Sequence, residues 1–246
     1  MFRIYNEDCI PGARKYISDE EVDLMICDPP FGISEASFDK HYNRKESNVL
    51  DGYVEAPEDY LEWTIQWLTE AKRILKPNGS MYLVSGYSKL YEILSAIRQV
   101  RMTEINHIIW KYNFGVYTKN KYVTSHYHIL YLKKHEKANP TFNRECRFQG
   151  SQESYRDRED VWVINREFQP GKVKNKNKLP TKLVGKMVQY SSNPDDIICD
   201  FFLGNFTTAY VAVATKRIPI GFEKNSNGFK NKMSSLRAMA GADLYA

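Results

Sequence analysis

The chain has 246 residues, 42% of them hydrophobic and 26% charged, with 35 Lys and Arg against 30 Asp and Glu for a formal charge of +5. That is one large globular domain, or one domain with an insert, and no apolar run is long enough to span a membrane. Met1-Phe2-Arg3-Ile4 leads into strand-like sequence rather than a signal peptide, and Cys9, Cys27, Cys146 and Cys199 are scattered without metal-ligand spacing, so a reduced, cytoplasmic protein with no bound metal is expected.

Short apolar runs alternate with helix-like stretches along the chain, the pattern of an α/β sheet. Strands are expected at Arg3–Asp8, Val22–Asp28, Ser80–Ser85, Glu104–Trp110, His126–Leu132, Asp196–Asp200 and Ile218–Glu223. The best helix is Pro57–Leu75: Pro57 suits a first turn, Glu58 and Asp59 favour its positive end, and Leu61, Ile65, Leu68 and Ile74 share a face. Lys76-Pro77-Asn78-Gly79 then stops it. Tyr60, Trp63 and Trp67 on this helix read as core or interface rather than as a ligand box. Further helices are expected at Ser88–Val100, Thr181–Ser191, Thr207–Lys216 and Asn227–Ala240. Two segments lack this rhythm. Gly32–Ala56 is polar and reads as a mobile loop over a site; His135–Asn177 is longer, charged and irregular. From Arg166 to Lys186 the basic residues Arg166, Lys172, Lys174, Lys176, Lys178, Lys182 and Lys186 face one acid, Glu167. Such a run is either a solvated face or a contact for a polyanion.

The strand Val22–Cys27 closes on Asp28-Pro29-Pro30-Phe31. An acid, two prolines and an aromatic suit chemistry on an exocyclic amine. The carboxylate accepts a hydrogen bond from the amine, the Pro29 carbonyl can accept another, and the prolines hold both acceptors in a rigid turn. Phe31 offers a flat face for a base removed from its stack. The plainer alternative is a strand running into a Pro-Pro loop with Asp28 as a turn residue.

Farther on, Ile197-Ile198-Cys199-Asp200-Phe201-Phe202-Leu203-Gly204-Asn205-Phe206-Thr207-Thr208 reads as strand, tight turn and helix, a nucleotide-type site at the carboxyl end of a parallel strand. One strand–helix unit later, Ile220-Gly221-Phe222-Glu223 ends another strand in an acid able to take both hydroxyls of a ribose. A generic dinucleotide site would carry more glycines. The cofactor expected here has a ribose but needs no pyrophosphate pocket.

Together these residues resemble the β-ordered group of S-adenosyl-L-methionine-dependent DNA amino-methyltransferases, adenine-specific in type. In that group an Asp-Pro-Pro-aromatic motif near the N-terminus precedes the target-recognition segment, and the cofactor glycine motif follows. Asp28–Phe31, His135–Asn177 and Asp200–Gly204 stand in that order. Asn6-Glu7-Asp8-Cys9, Arg73–Ser80, Asp160-Val161-Trp162 and Lys178-Leu179-Pro180 with Leu183 look like lesser elements of the same pattern. The resemblance implies a doubly wound, mostly parallel, seven-stranded Rossmann-like fold, circularly permuted to start at the strand ending in Asp8. Residues 1–134 would be its catalytic part, 135–177 a small recognition insert, and 178–246 the cofactor-binding part of the same domain.

The resemblance further implies methyl transfer from S-adenosyl-L-methionine to the N6 amine of adenine in DNA, with the target base flipped out. Asp28, Pro29, Pro30 and Phe31 would be catalytic. Asp8 and Cys9 would contact the cofactor's adenine and Glu223 its ribose. Asp28, Lys178, Leu179, Pro180, Asp200, Phe202, Gly204, Asn205, Thr207 and Asn225 would complete the cofactor site. Double-stranded DNA is the expected partner, with single-stranded DNA, a homodimer and a cognate restriction endonuclease left open, and no membrane. The chain departs from the family pattern at Phe201, where Pro is usual, and at Phe206, where a second Gly is usual and bulk would stand close to the cofactor. An N4-cytosine methyltransferase, an enzyme acting on RNA or single strands, and a DNA-binding module with an impaired cofactor pocket are the competing readings. Asp28, where the cytosine enzymes tend to have Ser, favours adenine.

Overall fold

The computed structural model describes residues 2–31, 57–113, 115, 117, 119–148, 154–167 and 178–242. The loop expected at 32–56 and the lysines at 172, 174 and 176 lie outside the described residues. Among the described residues eight strands form one sheet: β1 (Arg3–Tyr5), β2 (Val22–Cys27), β3 (Leu75–Ser85), β4 (Thr103–Lys111), β5 (His126–Lys133), β6 (Val161–Val163), β7 (Ile197–Asp200) and β8 (Ile218–Phe222). Their order is β1-β8-β7-β2-β3-β5-β4-β6. Only β5 runs antiparallel to its neighbours.

The central strands are apolar on both faces because helices cover both. In β2, Met25 and Cys27 pack with one layer and Leu24 and Ile26 with the other. The first layer is α1 (Cys9–Tyr16), α2 (Tyr60–Ile74) and α3 (Leu90–Val100). A four-residue turn of helix, α4 (Ser154–Asp157), precedes β6. The second layer is α5 (Thr181–Ser191) and α6 (Thr207–Ala214), and α7 (Phe229–Ala242) packs on α6 through Phe206, Met233 and Leu236. No helix among the described residues is long and apolar enough to cross a membrane.

Every expected strand is present; β1, β2, β7 and β8 are trimmed, whereas β3, β4 and β5 are longer, β3 beginning at Leu75 and taking in the Lys76–Gly79 stretch expected only to stop the helix. β1 stops at Tyr5 rather than Asp8 because the Asp8 carboxylate caps α1, accepting from the Ile10 N–H at 3.0 Å. Helix α1 itself was not expected, since Pro11 and Gly12 mask it. Pro11 falls in the first turn, where no N–H is needed, and Gly12 lets the helix approach β8: a Cβ there would lie 2.4 Å from the Phe222 ring. Helix α2 starts at Tyr60, not Pro57, because Asp59 is its cap, accepting from the Glu62 N–H at 3.0 Å. The eighth strand, β6, comes from the segment expected to be irregular; it joins the sheet edge through β4, and its Trp162 is buried.

From β2 the chain crosses to β3 on one side, and from β7 to β8 on the other. The crevice of such a sheet opens at the carboxyl ends of the two strands flanking that reversal, which here are Cys27 and Asp200.

Candidate active site

Asp28 follows the last residue of β2, and one of its carboxylate oxygens, Oδ1, is buried with no hydrogen-bond partner among the described residues. Burial pushes the carboxyl up to about 8, the neighbouring Asp200 adds to the rise, and Arg166 opposes it. A buried acceptor left without a donor is costly, and such sites concentrate where a ligand completes them. The three residues after Asp28 are held from several sides. Pro29 is buried. The Tyr60 hydroxyl, from the first turn of α2, donates to the Pro30 carbonyl at 2.9 Å. The Phe31 ring lies 5.3 Å from the Tyr127 ring of β5. Tyr127 in turn sits 5.3 Å from Tyr112. The Arg166 guanidinium covers both rings at 4.5 and 5.1 Å and donates to the Tyr127 hydroxyl at 2.7 Å. An aromatic wall closed by a cation therefore stands beside the acid.

On the adjacent strand, β7, Asp200 is buried and accepts from the Phe202 N–H at 2.8 Å, closing the turn that leads into α6. Burial pushes this carboxyl up to about 7, Thr208 and the Phe202 N–H pull it back, and Glu223 raises it. Gly204 supplies a left-handed residue, φ 49°, and is exposed, while Asn205 is half-buried and Thr207 buried. The Phe202 ring leans on α2, 5.6 Å from Trp63 and 5.2 Å from Trp67. Phe206 adopts φ 62°, the backbone conformation its glycine counterpart would take without strain. Its ring is fully buried between α6 and α7, 5.5 Å from Phe229. It fills the seam with α7, whereas Phe201 packs separately, 5.8 Å from Phe222.

Glu223 follows β8, its backbone N–H donating to the Tyr5 carbonyl and its Oε1 accepting from the Asn225 N–H at 2.7 Å. Burial raises its carboxyl, and Lys232 counters. Asn6, after β1, donates to the Glu223 carbonyl oxygen at 2.6 Å. The Asp8 carboxylate is committed to capping α1 and pairs with Lys224 at 3.1 Å; Cys9 beside it is buried, and burial together with Asp8 pushes its thiol up. Asp8, Asp28, Asp200 and Glu223 thus follow or end four neighbouring strands, β1, β2, β7 and β8, on one edge of the sheet. Lys178-Leu179-Pro180 is placed differently. Lys178 pairs with Glu167 at 3.1 Å, Leu179 is buried in the core under α5, and Pro180 leads into that helix.

Sequence reasoning missed Tyr60, Tyr112 and Tyr127 as parts of this site and placed Arg166 only in a basic run. The loop after β4 was overlooked too. Its neighbour β5 pairs His128 with Ser85 at the carboxyl end of β3, so the loop shares an edge with Asp28. Between Ile105 and His135 the chain has no carboxylate, and Lys119, Lys121, Tyr117 and Tyr122 are all exposed. An acid-free loop of interleaved lysines and tyrosines suits a phosphate backbone with unstacked bases.

The chain is similar to known DNA methylases over nearly its whole length. It is 28% identical over 236 residues to the type II methyltransferase M.HinfI of Haemophilus influenzae, covering 90% of this chain and 64% of that one. It is 31% identical over 250 residues to the DNA adenine methyltransferase YhdJ of Escherichia coli K12, covering 92% and 80%. It therefore spans just under two thirds of M.HinfI. In three dimensions it matches TTHA0409 of Thermus thermophilus, solved with S-adenosyl-L-methionine, with a TM-score of 0.70 at 18% identity over 98% of this chain and 95% of that one. It matches the cytosine-N4-specific PvuII DNA methyltransferase with a TM-score of 0.70 at 17% identity, over 97% and 92%. The sequence profile of the family N6_N4_Mtase, DNA methylase, matches residues 22–231, and the chain belongs to that family.

Proposed function

We propose that this protein is a DNA methyltransferase that transfers a methyl group from S-adenosyl-L-methionine to the N6 amine of adenine. The observation that carries this is the Asp28 carboxylate, half-sheltered and with a buried oxygen to which no described residue donates, next to a strand–turn–helix site at Asp200 and an acid at Glu223. The residues fit the cofactor. Gly204 leaves the turn open, Phe206 points its bulk into the α6–α7 seam, and Glu223 suits two ribose hydroxyls. Asp8, Cys9, Asn205, Thr207 and Asn225 flank these positions and are assigned to the same site; Lys178-Leu179-Pro180 are assigned through the family likeness alone. When bound, S-adenosyl-L-methionine supplies an electrophilic methyl group.

The chain's own residues prepare the nucleophile. The adenine amine is poor because its lone pair is delocalised into the ring. Asp28 Oδ1 and the Pro29 carbonyl accept its two protons, which favours a pyramidal nitrogen with a free lone pair aimed away from them. The proton lost after transfer can pass to Asp28, whose raised affinity suits it to receive one. Phe31, backed by Tyr127, stacks on a base that has left the duplex, where the amine could not be reached. Asp28 in place of Ser, and the adenine activity in YhdJ's name, favour adenine over N4-cytosine.

Residues 1–134 and 178–246 then act as the two parts of one catalytic domain and 135–177 as the recognition insert. Duplex DNA is the substrate in a cytoplasmic setting, and a homodimer and a cognate endonuclease are the companions this reading adds. Mapping methylated positions in the DNA of cells expressing the protein tests it: modified adenines in one recurring sequence are expected, and an unmodified genome would refute it.

A further inference from the structure

Helix α2 touches both halves of the site. Its first residue, Tyr60, is buried and donates its hydroxyl to Pro30. One turn on, Trp63 lies 5.4 Å from the Tyr60 ring and 5.6 Å from the Phe202 ring. Another turn on, Trp67 meets Phe202 edge-on at 5.2 Å. Residues 60, 63 and 67 share one face of a helix, so one rigid element bridges the turn after β2 and the turn after β7.

What the hydroxyl fixes follows from the prolines. Rings lock φ at Pro29 and Pro30, and the residue before a proline is confined to extended angles, so Asp28 and Pro29 are set by the chain itself. Pro30 precedes Phe31, not a proline, and its ψ is free of that restriction. Rotation there would swing its carbonyl and redirect Phe31. The Tyr60 hydroxyl holds that carbonyl, and with it the direction of the Phe31 ring.

We propose that Tyr60 is a positioning residue for methyl transfer: through Pro30 it orients Phe31, and through Trp63 it ties that orientation to the Phe202 turn of the cofactor site. This rests on the methyltransferase reading above. Tyr60→Phe keeps the ring with its Trp63 and Lys89 contacts and removes only the hydroxyl.

The test uses tritiated S-adenosyl-L-methionine and adenine-containing duplex DNA, both saturating, with cofactor affinity read by calorimetry. For Tyr60→Phe, turnover falls on the order of 10- to 100-fold while cofactor Kd and the KM for DNA stay within about threefold, the signature of lost alignment rather than lost binding. The fluorescence of 2-aminopurine at the target position changes as well, because Phe31 no longer presents the same face. A hydroxyl that only supports the fold would lower the melting temperature and leave turnover per folded molecule unchanged. Should Tyr60→Phe fail to fold, Trp63→Phe carries the test, with turnover down by about fivefold or more at saturation. Either folded variant turning over within about twofold of the parent overturns the proposal while leaving the methyltransferase reading intact. A parent that methylates no DNA overturns both.

Discussion

Asp200 ends β7 and Asp28 follows the last residue of the adjacent parallel strand β2, and the charge of Asp200 drives the already buried Asp28 carboxyl further towards its protonated form. The proposed reaction needs Asp28 ionised, so the protein carries an acid whose ionisation is held near working pH. Arg166, seated on Tyr112 and Tyr127, supplies the opposing charge.

The first prediction is a pH profile. With Asp28 at about 8 in the free protein, kcat/KM for DNA rises with pH and levels off above about 8. Arg166→Gln removes the charge that favours the ionised form, so the rise moves to higher pH; Arg166→Lys restores it in part. Steady-state rates between pH 6 and 10 check both, and a flat profile would contradict the assignment of Asp28.

The same carboxyl makes a stability prediction. Its folded value, about 8, exceeds its ordinary 3.8, so between those values the folded protein keeps a proton the unfolded chain has lost. Stability contributed by this group is therefore present at low pH and is lost as pH rises through the window. Asp28→Asn, neutral throughout, gains in melting temperature over the parent as pH is raised from about 5 to about 8, and the gain is constant above that. Asp28→Asn and Asp28→Ala both abolish methylation and leave cofactor affinity nearly intact. Calorimetry and methyl-transfer assays on the same preparations check this.

At Phe206 two effects oppose. Glycine would relieve the left-handed backbone by about 1 kcal/mol, yet it would lose the burial of a phenyl ring, about 3 kcal/mol. Phe206→Gly is therefore destabilised by about 2 kcal/mol, and Phe206→Ala, which keeps the strain, by more. Cofactor affinity changes little in either, because the ring faces Phe229, Met233 and Leu236. Denaturant unfolding and titration calorimetry measure the two quantities separately. Restored binding in Phe206→Gly from a parent that binds nothing would reverse this account.

The lysines give a fourth prediction. Lys119→Ala and Lys121→Ala each lower the log–log salt slope of duplex binding by roughly 0.9 if they meet phosphates. The triple variant at Lys172, Lys174 and Lys176 lowers it further. Fluorescence anisotropy over a salt series reads the slope, and no change would make both sets solvated faces.

Asp28, Asp200 and Glu223 were legible at the carboxyl ends of strands because each closes an apolar run, and a strand's end is where a sheet presents its ligands. The strands were legible for the same reason: Val22–Cys27, broken only by Asp23, and Ile197–Cys199 are short apolar runs between helix-like stretches. β6 was not, since three residues become a strand only by pairing with β4. Tyr60, Tyr127 and Arg166 were hidden for another reason. Each reaches the Asp28 turn from a distant part of the chain, and nothing local distinguishes a tyrosine that packs from one that donates to Pro30. Phe206 illustrates the limit in the other direction. Its departure from glycine was visible, but the pocket that absorbs the ring is built by α7, a separate helix beyond the next strand.

The most direct test of the central claim is nucleoside analysis of the product. Duplex DNA is incubated with the protein and methyl-labelled S-adenosyl-L-methionine, digested to nucleosides and separated by chromatography. Label is expected in N6-methyladenine and is lost in Asp28→Ala. Label in N4-methylcytosine, or none in any nucleoside, would contradict that claim.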